Sequence, residues 1–227
     1  MDEPMEHQPT GTEPTGIELT EAELLALLGL RLQGFASADA VAEVVQLEVV
    51  RVERVLHRGR DLGWVRYQEG RMTGWSLTPT GRSEGERRLA AQLEARGCRA
   101  VVDGCYERFR SLNVEVLAVC TDWQLRDQAT VNDHLDVAYD AAVIDRLAEL
   151  HRRARGVCDE LGAALERFGT YGDRLQGALA RVRAGEHEWF TGVRIPSYHA
   201  VWFELHENLL ATLGIDRSRE APEQPGR

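Results

Sequence analysis

Two apolar seams in the second half of the chain restrict the fold more than any other feature. Cys98, Val102, Cys105, Phe109, Leu112, Val116, Val119 and Trp123 recur in alternating steps of four and three residues, and Val143, Leu147, Leu150, Ala154, Val157, Leu161, Ala164 and Phe168 do the same. That spacing sets each row on a single stripe of a helix, because one turn takes about 3.6 residues. Two such helices bury a long core against each other or against a twofold mate. The polar stretch from Arg126 to Asp133 separates them. Shorter apolar periods follow, one with Leu175, Leu179 and Val182 and one after Pro196 with Trp202, Leu205, Leu209 and Leu213. Residues 98–215 are therefore expected to be a helical bundle, packed within the chain or against a second copy of it.

The preceding segment has a different grammar. Glu23 lies three residues after Thr20, the spacing of a capping box, and Leu24, Leu27, Leu28 and Leu32 form the buried stripe of a first helix that Gly34 ends. Ser37 caps a short helix over Ala38–Val45 with Val41 and Val44 inward. In the next helix Val52, Val55 and Leu56 face inward, while Arg51, Arg54 and Arg58 occupy another face. Gly63 stops that helix. Two strands, Trp64–Tyr67 and Met72–Leu77, flank a turn at Gln68–Arg71 and read as a hairpin. Thr78 then caps a helix with Pro79 at its first position, which runs through Leu89 and Leu93 to a break at Gly97.

This order resembles the winged-helix transcription regulators of the MarR and PadR type, whose wing returns through an L-T-x-x-G segment matched here by Leu77-Thr78-Pro79-Thr80-Gly81. The resemblance covers about Thr20 to Arg96. With the winged helix placed first it is nearer PadR than MarR proper. Two departures stand out: Gln46 holds the inter-helix turn where such proteins often carry glycine, and Gly59 interrupts the arginine-bearing helix at a position where they often carry leucine. Gly59 costs about 1 kcal/mol of helix propensity unless close packing, for instance against a tryptophan, needs the space.

The resemblance implies a mainly α protein: an N-terminal winged helix of three helices plus a short β-hairpin wing over residues 17–97, then the bundle. It further implies a homodimer on double-stranded DNA. In that reading Arg51 and Arg54 lie near base edges, Val49 and Val50 offer apolar contacts to thymine methyls, and Arg58, Arg66 and Arg71 meet phosphates.

Charge bears on this reading in two directions. The chain of 227 residues has a net charge of −10, which disfavours non-specific binding to nucleic acid. Yet Gln46–Arg82 holds seven arginines against four acids, and the acidic excess falls elsewhere, including all of residues 1–16. DNA affinity is thus expected to be modest and salt-sensitive. Arginine richness itself is discounted, since the chain has no lysine and all 27 of its Lys+Arg side chains are arginine. Residues 1–16, rich in Pro, Thr, Gly and Glu, and 216–227 are expected to be loose tails.

No apolar run of membrane-spanning length and no secretory signal stands in the sequence, so a cytoplasmic location is expected. Free thiols go with it, as Cys98, Cys105, Cys120 and Cys158 make no zinc spacing. Cys98 and Cys105, seven apart, suit a thiol switch, but their place on the seam favours core packing.

Trp123, Tyr139, His199, Trp202 and His206 are the candidate effector-pocket residues. They serve equally well as bundle core. His199 and His206 share a helix face but lack a third ligand, so no metal or cofactor is expected. The segment Asn132-Asp133-His134-Leu135-Asp136, with Asp140 nearby, is oxygen-rich but lacks the glycine and closing glutamate of an EF-hand, and helix capping accounts for it better. No phosphate loop, Ser-His-Asp set or carboxylate pair marks an enzyme.

Two rival readings stay open. The stretches LRLQGFAS, TGWSLTPTGR and TDWQLR faintly resemble a helical accessory region of some phosphoenolpyruvate-utilising proteins, which implies an interaction module that regulates an enzyme without touching DNA. An enzyme built on the His199, Trp202 and His206 face is the other.

Overall fold

Helix α1 (Glu21–Gln33) buries Leu24, Leu27, Leu28 and Leu30, and ends where Gly34 takes φ +73° and returns its N–H to the Leu30 carbonyl. The computed structural model describes residues 21–127 and 129–216; the expected tail over 1–16, the Thr20 cap and the tail beyond Asp216 lie outside the described residues. After β1 (Phe35–Ala36), the Ser37 hydroxyl accepts from the Ala40 amide at 3.2 Å and starts α2 (Ala38–Val45). Gln46 closes α2 at φ +54°, so the turn is left-handed at the position where glycine was missed. A side chain there costs about 1–2 kcal/mol. Helix α3 (Val49–Asp61) follows with Val52 and Leu56 fully buried.

Strands β2 (Val65–Gln68) and β3 (Gly74–Leu77) pair antiparallel in the register Val65 to Leu77, and β3 also pairs with β1, so the sheet order is β1-β3-β2. Trp75 sits opposite both Ala36 and Tyr67 and packs into a core with Leu27, Leu30, Val41, Val52, Leu56, Trp64 and Val65. Gly59 is buried because the Val65 side chain crosses it; a Cβ there would meet Val65 Cγ2 at 3.3 Å. The close packing expected at this glycine is with a valine rather than a tryptophan. Thr78 caps α4 (Pro79–Arg96) by accepting from the Gly81 amide at 3.0 Å, and Gly97 at φ +61° terminates it.

Both seams are satisfied within one chain. Helices α5 (Arg99–Gln124) and α6 (Val137–Ala164) lie against each other, joined by the two-residue strands β4 (Leu125–Arg126) and β5 (Thr130–Val131) in the stretch expected to be a polar loop. All eight residues of the first seam are buried. The second outruns its helix: Ala164 is only partly buried, and Phe168 reaches the core from a 3-10 turn at Glu166–Phe168. Helix α7 (Tyr171–Arg183), the short α8 (Glu188–Thr191) and α9 (Tyr198–Leu213) complete the bundle, with Phe109 of α5 stacked on Trp202 of α9 at 4.5 Å. A twofold interface must therefore use surface other than these seams.

Helix α9 also ties the two halves together. Ala211 packs with Leu24, Leu28 and Leu89 in a cluster of its own, and Arg31 Nη1 lies 3.0 Å from Glu207 Oε2 where both side chains are largely buried. Gly97 is thus a break in the chain but not in the packing. The protein is mainly helical with small antiparallel sheets, and among the described residues no helix is long and apolar enough to cross a membrane.

Candidate nucleic-acid interface

The two faces of α3 differ sharply. Val52 and Leu56 anchor it, while Arg51 and Arg54 are exposed and Val50 keeps 66% of its surface accessible. A single exposed valine is ordinary on a protein surface, so it is the company of two outward arginines that marks this face. Beside this face the hairpin turn carries exposed Arg71 and Met72, with Gly70 at φ +135°.

Three of the expected contact residues are placed differently. Val49 is partly buried and packs onto the core with Leu47 and Val55, so only part of its surface faces outward. Arg58 reaches back to α1, with Nη1 2.6 Å from Oε1 of the buried Glu23, so its charge is spent on fastening α3. Arg66 is exposed, but its Nε donates to Ser76 Oγ at 3.0 Å across the hairpin. Arg51, Arg54 and Arg71 are the members of the expected set with no side-chain partner among the described residues, while Arg58 and Arg66 are exposed but engaged. His57 lies on the same face unexpectedly: it is exposed and its ring stands edge-on to Trp75 at 5.2 Å, bridging α3 and the hairpin. The signal was in the spacing, since His57 lies three residues past Arg54 and seven past Val50.

The five expected effector residues do not meet in one cavity. Trp202 and His206 pack on Phe109, and Trp202 Nε1 donates to Asn113 Oδ1 at 2.9 Å. Trp123 stacks on Phe190 at 4.4 Å, and the Tyr139 hydroxyl donates to the Asp122 carbonyl. His199 is half-buried on α9, and burial lowers its pKa. Trp123 and Trp202 belong to the bundle core, and Tyr139 packs against it.

A cleft of about 320 Å³ opens elsewhere, between the first three helices and the bundle. One wall is apolar, from Leu24, Leu25, Leu28 and Leu32, and the rest of the lining bears Arg51, Arg96, Arg167 and Arg174 together with Glu21 and Glu166. Arg174 is neutralised by Glu204 through two contacts of 2.7 Å. Arg167 is not. Its Nη groups donate to Gln92 and Thr212, its buried Nε has no partner, and burial pulls its pKa down to about 10. Arg51 belongs to both the cleft and the exposed face of α3.

The cysteines are core. All four are buried and unpaired, and burial pushes the Cys120 and Cys158 thiols up to about 12, so neither supplies a thiolate. Comparison with protein-family models, curated proteins and solved structures finds no match to this chain.

Proposed function

We propose that this protein is a DNA-binding transcriptional regulator of the winged-helix type, acting as a homodimer in the cytoplasm and answering to a small organic anion. The observation that carries the reading is the outward face of α3, where Val50, Arg51 and Arg54 stand exposed on a helix whose other side is locked into a core. The order α1-β1-α2-α3-β2-β3 with sheet order β1-β3-β2 supports it, since a hairpin beside a recognition helix lets one module touch a groove and the adjoining backbone together. Homodimerisation is part of the proposal because two half-sites multiply the specificity of one small reading head. The arginine-walled cleft supports the effector half: it couples the bundle to Arg51, so a bound anion competes with DNA for the same side chain.

The test is selection of genomic fragments by the purified protein at two salt concentrations. Enrichment of a palindromic site that weakens with salt, and that Arg51→Ala/Arg54→Ala abolishes while the helical circular dichroism is kept, is the expected result. Absence of enrichment at low salt sinks the reading and turns attention to an interaction module, which the net charge of −10 favours.

A further inference from the structure

We propose that His134, Asp140 and His187 form a binding site for a divalent transition-metal ion, zinc being the ion whose ligand preferences they match. The three come from separate places: His134 from the β5–α6 connection, Asp140 from the first turn of α6, and His187 from the link between α7 and α8. Their ligand atoms all lie within 4.8 Å of one another, with His134 Nδ1 3.0 Å from Asp140 Oδ2 and 3.2 Å from Asn132 Nδ2, a contact the ion would displace. Donors around a tetrahedral zinc sit on the order of 3.3 Å apart, given bonds of about 2.0–2.2 Å. Small rotations of two imidazoles close the remaining distance.

The surroundings are those of an oriented ligand set. Asp140 is buried, and Asn132 Nδ2 donates to its Oδ1 at 2.8 Å while also donating to the Trp123 carbonyl at 3.1 Å, which leaves Oδ2 directed at the histidines. Carboxylate ligands are commonly held in this way by an amide on the other oxygen. The Asn132 side-chain Oδ1 accepts from the His134 backbone amide at 3.3 Å, and His134 adopts φ +59°, a conformation that costs a non-glycine residue energy. The Trp123 ring backs both imidazoles, at 4.4 Å from His134 and 5.3 Å from His187.

Helix capping explains Asp136, which accepts from the Tyr139 amide, and an Asx turn explains Asp133. Neither explains why two imidazoles and a buried carboxylate converge. The exposed His187 makes ring contacts to Trp123 and His134, and among the described residues its ring has no hydrogen bond or ion pair. Two nitrogens and one oxygen suit zinc and its late first-row neighbours better than magnesium or calcium. Three protein ligands leave a fourth position for water or an exogenous anion, and an ion there would clamp the α7–α8 link to the start of α6.

The experiment is titration of the full-length, tag-free, metal-stripped protein with zinc chloride by calorimetry, and with cobalt(II) by visible absorption. One ion per chain is expected, with a change in tryptophan fluorescence from Trp123, a d–d spectrum and no thiolate-to-cobalt charge-transfer band. His187→Ala, at an exposed position that leaves the core intact, is expected to weaken binding at least tenfold, and Asp140→Asn more. His199→Ala is expected to bind as the parent does. Failure of the parent protein to bind zinc, or equal binding by His187→Ala, overturns the site, and a charge-transfer band would move it to the cysteines.

Discussion

Gly81 lies so close to the Trp64 carbonyl that a Cβ on it would sit 1.9 Å from the oxygen. The same carbonyl accepts the Thr78 amide at 2.9 Å, and the Thr78 hydroxyl donates to the Gly63 carbonyl at 2.7 Å, so the chain entering the hairpin and the helix leaving it are bonded through this segment. The obstruction is backbone and cannot rotate away. Gly81→Ala is expected to cost about 3 kcal/mol or more, read as a fall in the urea midpoint. Gly104→Ala is the contrast: nothing lies within 4 Å of that Cβ position in the second turn of α5, and a gain of about 0.5–1 kcal/mol is expected. Equal effects would mean that the contact does not set the role of Gly81.

Arg58 and Arg71 separate fastening from reading. Arg58 is engaged by Glu23, whose side chain is 5% exposed, whereas Arg71 stands at the hairpin turn. Arg58→Ala is expected to lower thermal stability while leaving the salt dependence of DNA binding as it was. Arg71→Ala is expected to leave stability within about 0.5 kcal/mol and to reduce the slope of log K against log salt by about 1. The reverse pattern would show that Arg58 leaves Glu23 to meet DNA.

Local grammar was legible in the sequence wherever one residue decides one bond. Ser37, Thr78 with Pro79, Gly34 and Gly97 cap or end the helices at their expected positions, and the first seam is buried throughout. What the sequence did not disclose are contacts across long separations. Arg31 and Glu207 are 176 positions apart, and no periodicity announces that α9 returns to α1. His187 gave no metal spacing with His134 because its place depends on how α7 turns back over the bundle. Trp202 and His206 sat on an apolar stripe that reads the same whether it meets Phe109 or a ligand. The cleft was hidden for the same reason, since its walls come from α1, the α2–α3 turn and the segment around Arg167.

Acid is expected to destabilise the fold in two stages. His151 is buried, its Nε2 3.0 Å from Gln176 Oε1, and burial lowers its pKa below the ordinary 6.5, as it does for His199. The unfolded chain therefore takes up more protons than the folded one as pH drops through the region just below 6.5, and the stability these neutral imidazoles confer is lost there. Glu84 and Glu115 are held below the ordinary 4.5 by hydrogen bonds from Arg87 and Arg153, so their contribution is lost only in more acid solution, below 4.5. Urea midpoints measured from about pH 8 to about pH 5 should fall on acidification, and His151→Gln should flatten the fall. An unchanged slope in that variant would assign the transition to other groups.

Arg167 is where stability and response are expected to oppose each other. A buried guanidinium without a carboxylate partner among the described residues forfeits hydration that two neutral acceptors, Gln92 and Thr212, do not fully replace. The thermodynamic consequence is the lowering of its pKa to about 10. An uncharged chain of similar length should do better when the cleft is empty, so Arg167→Met is expected to raise stability by about 1 kcal/mol. An organic anion with an apolar body reverses the balance, because its carboxylate supplies the missing counter-charge while its ring lies on Leu24, Leu28 and Leu32. Benzoate should therefore raise the melting temperature of the parent protein, by an amount that grows with its concentration as ligand linkage requires, and should leave Arg167→Met unmoved. Benzyl alcohol, which has the same ring without the charge, should do neither. If Arg167→Met is destabilised and benzoate acts on it as on the parent, the arginine is a strut between α4 and α9 and the anion has no part in its burial.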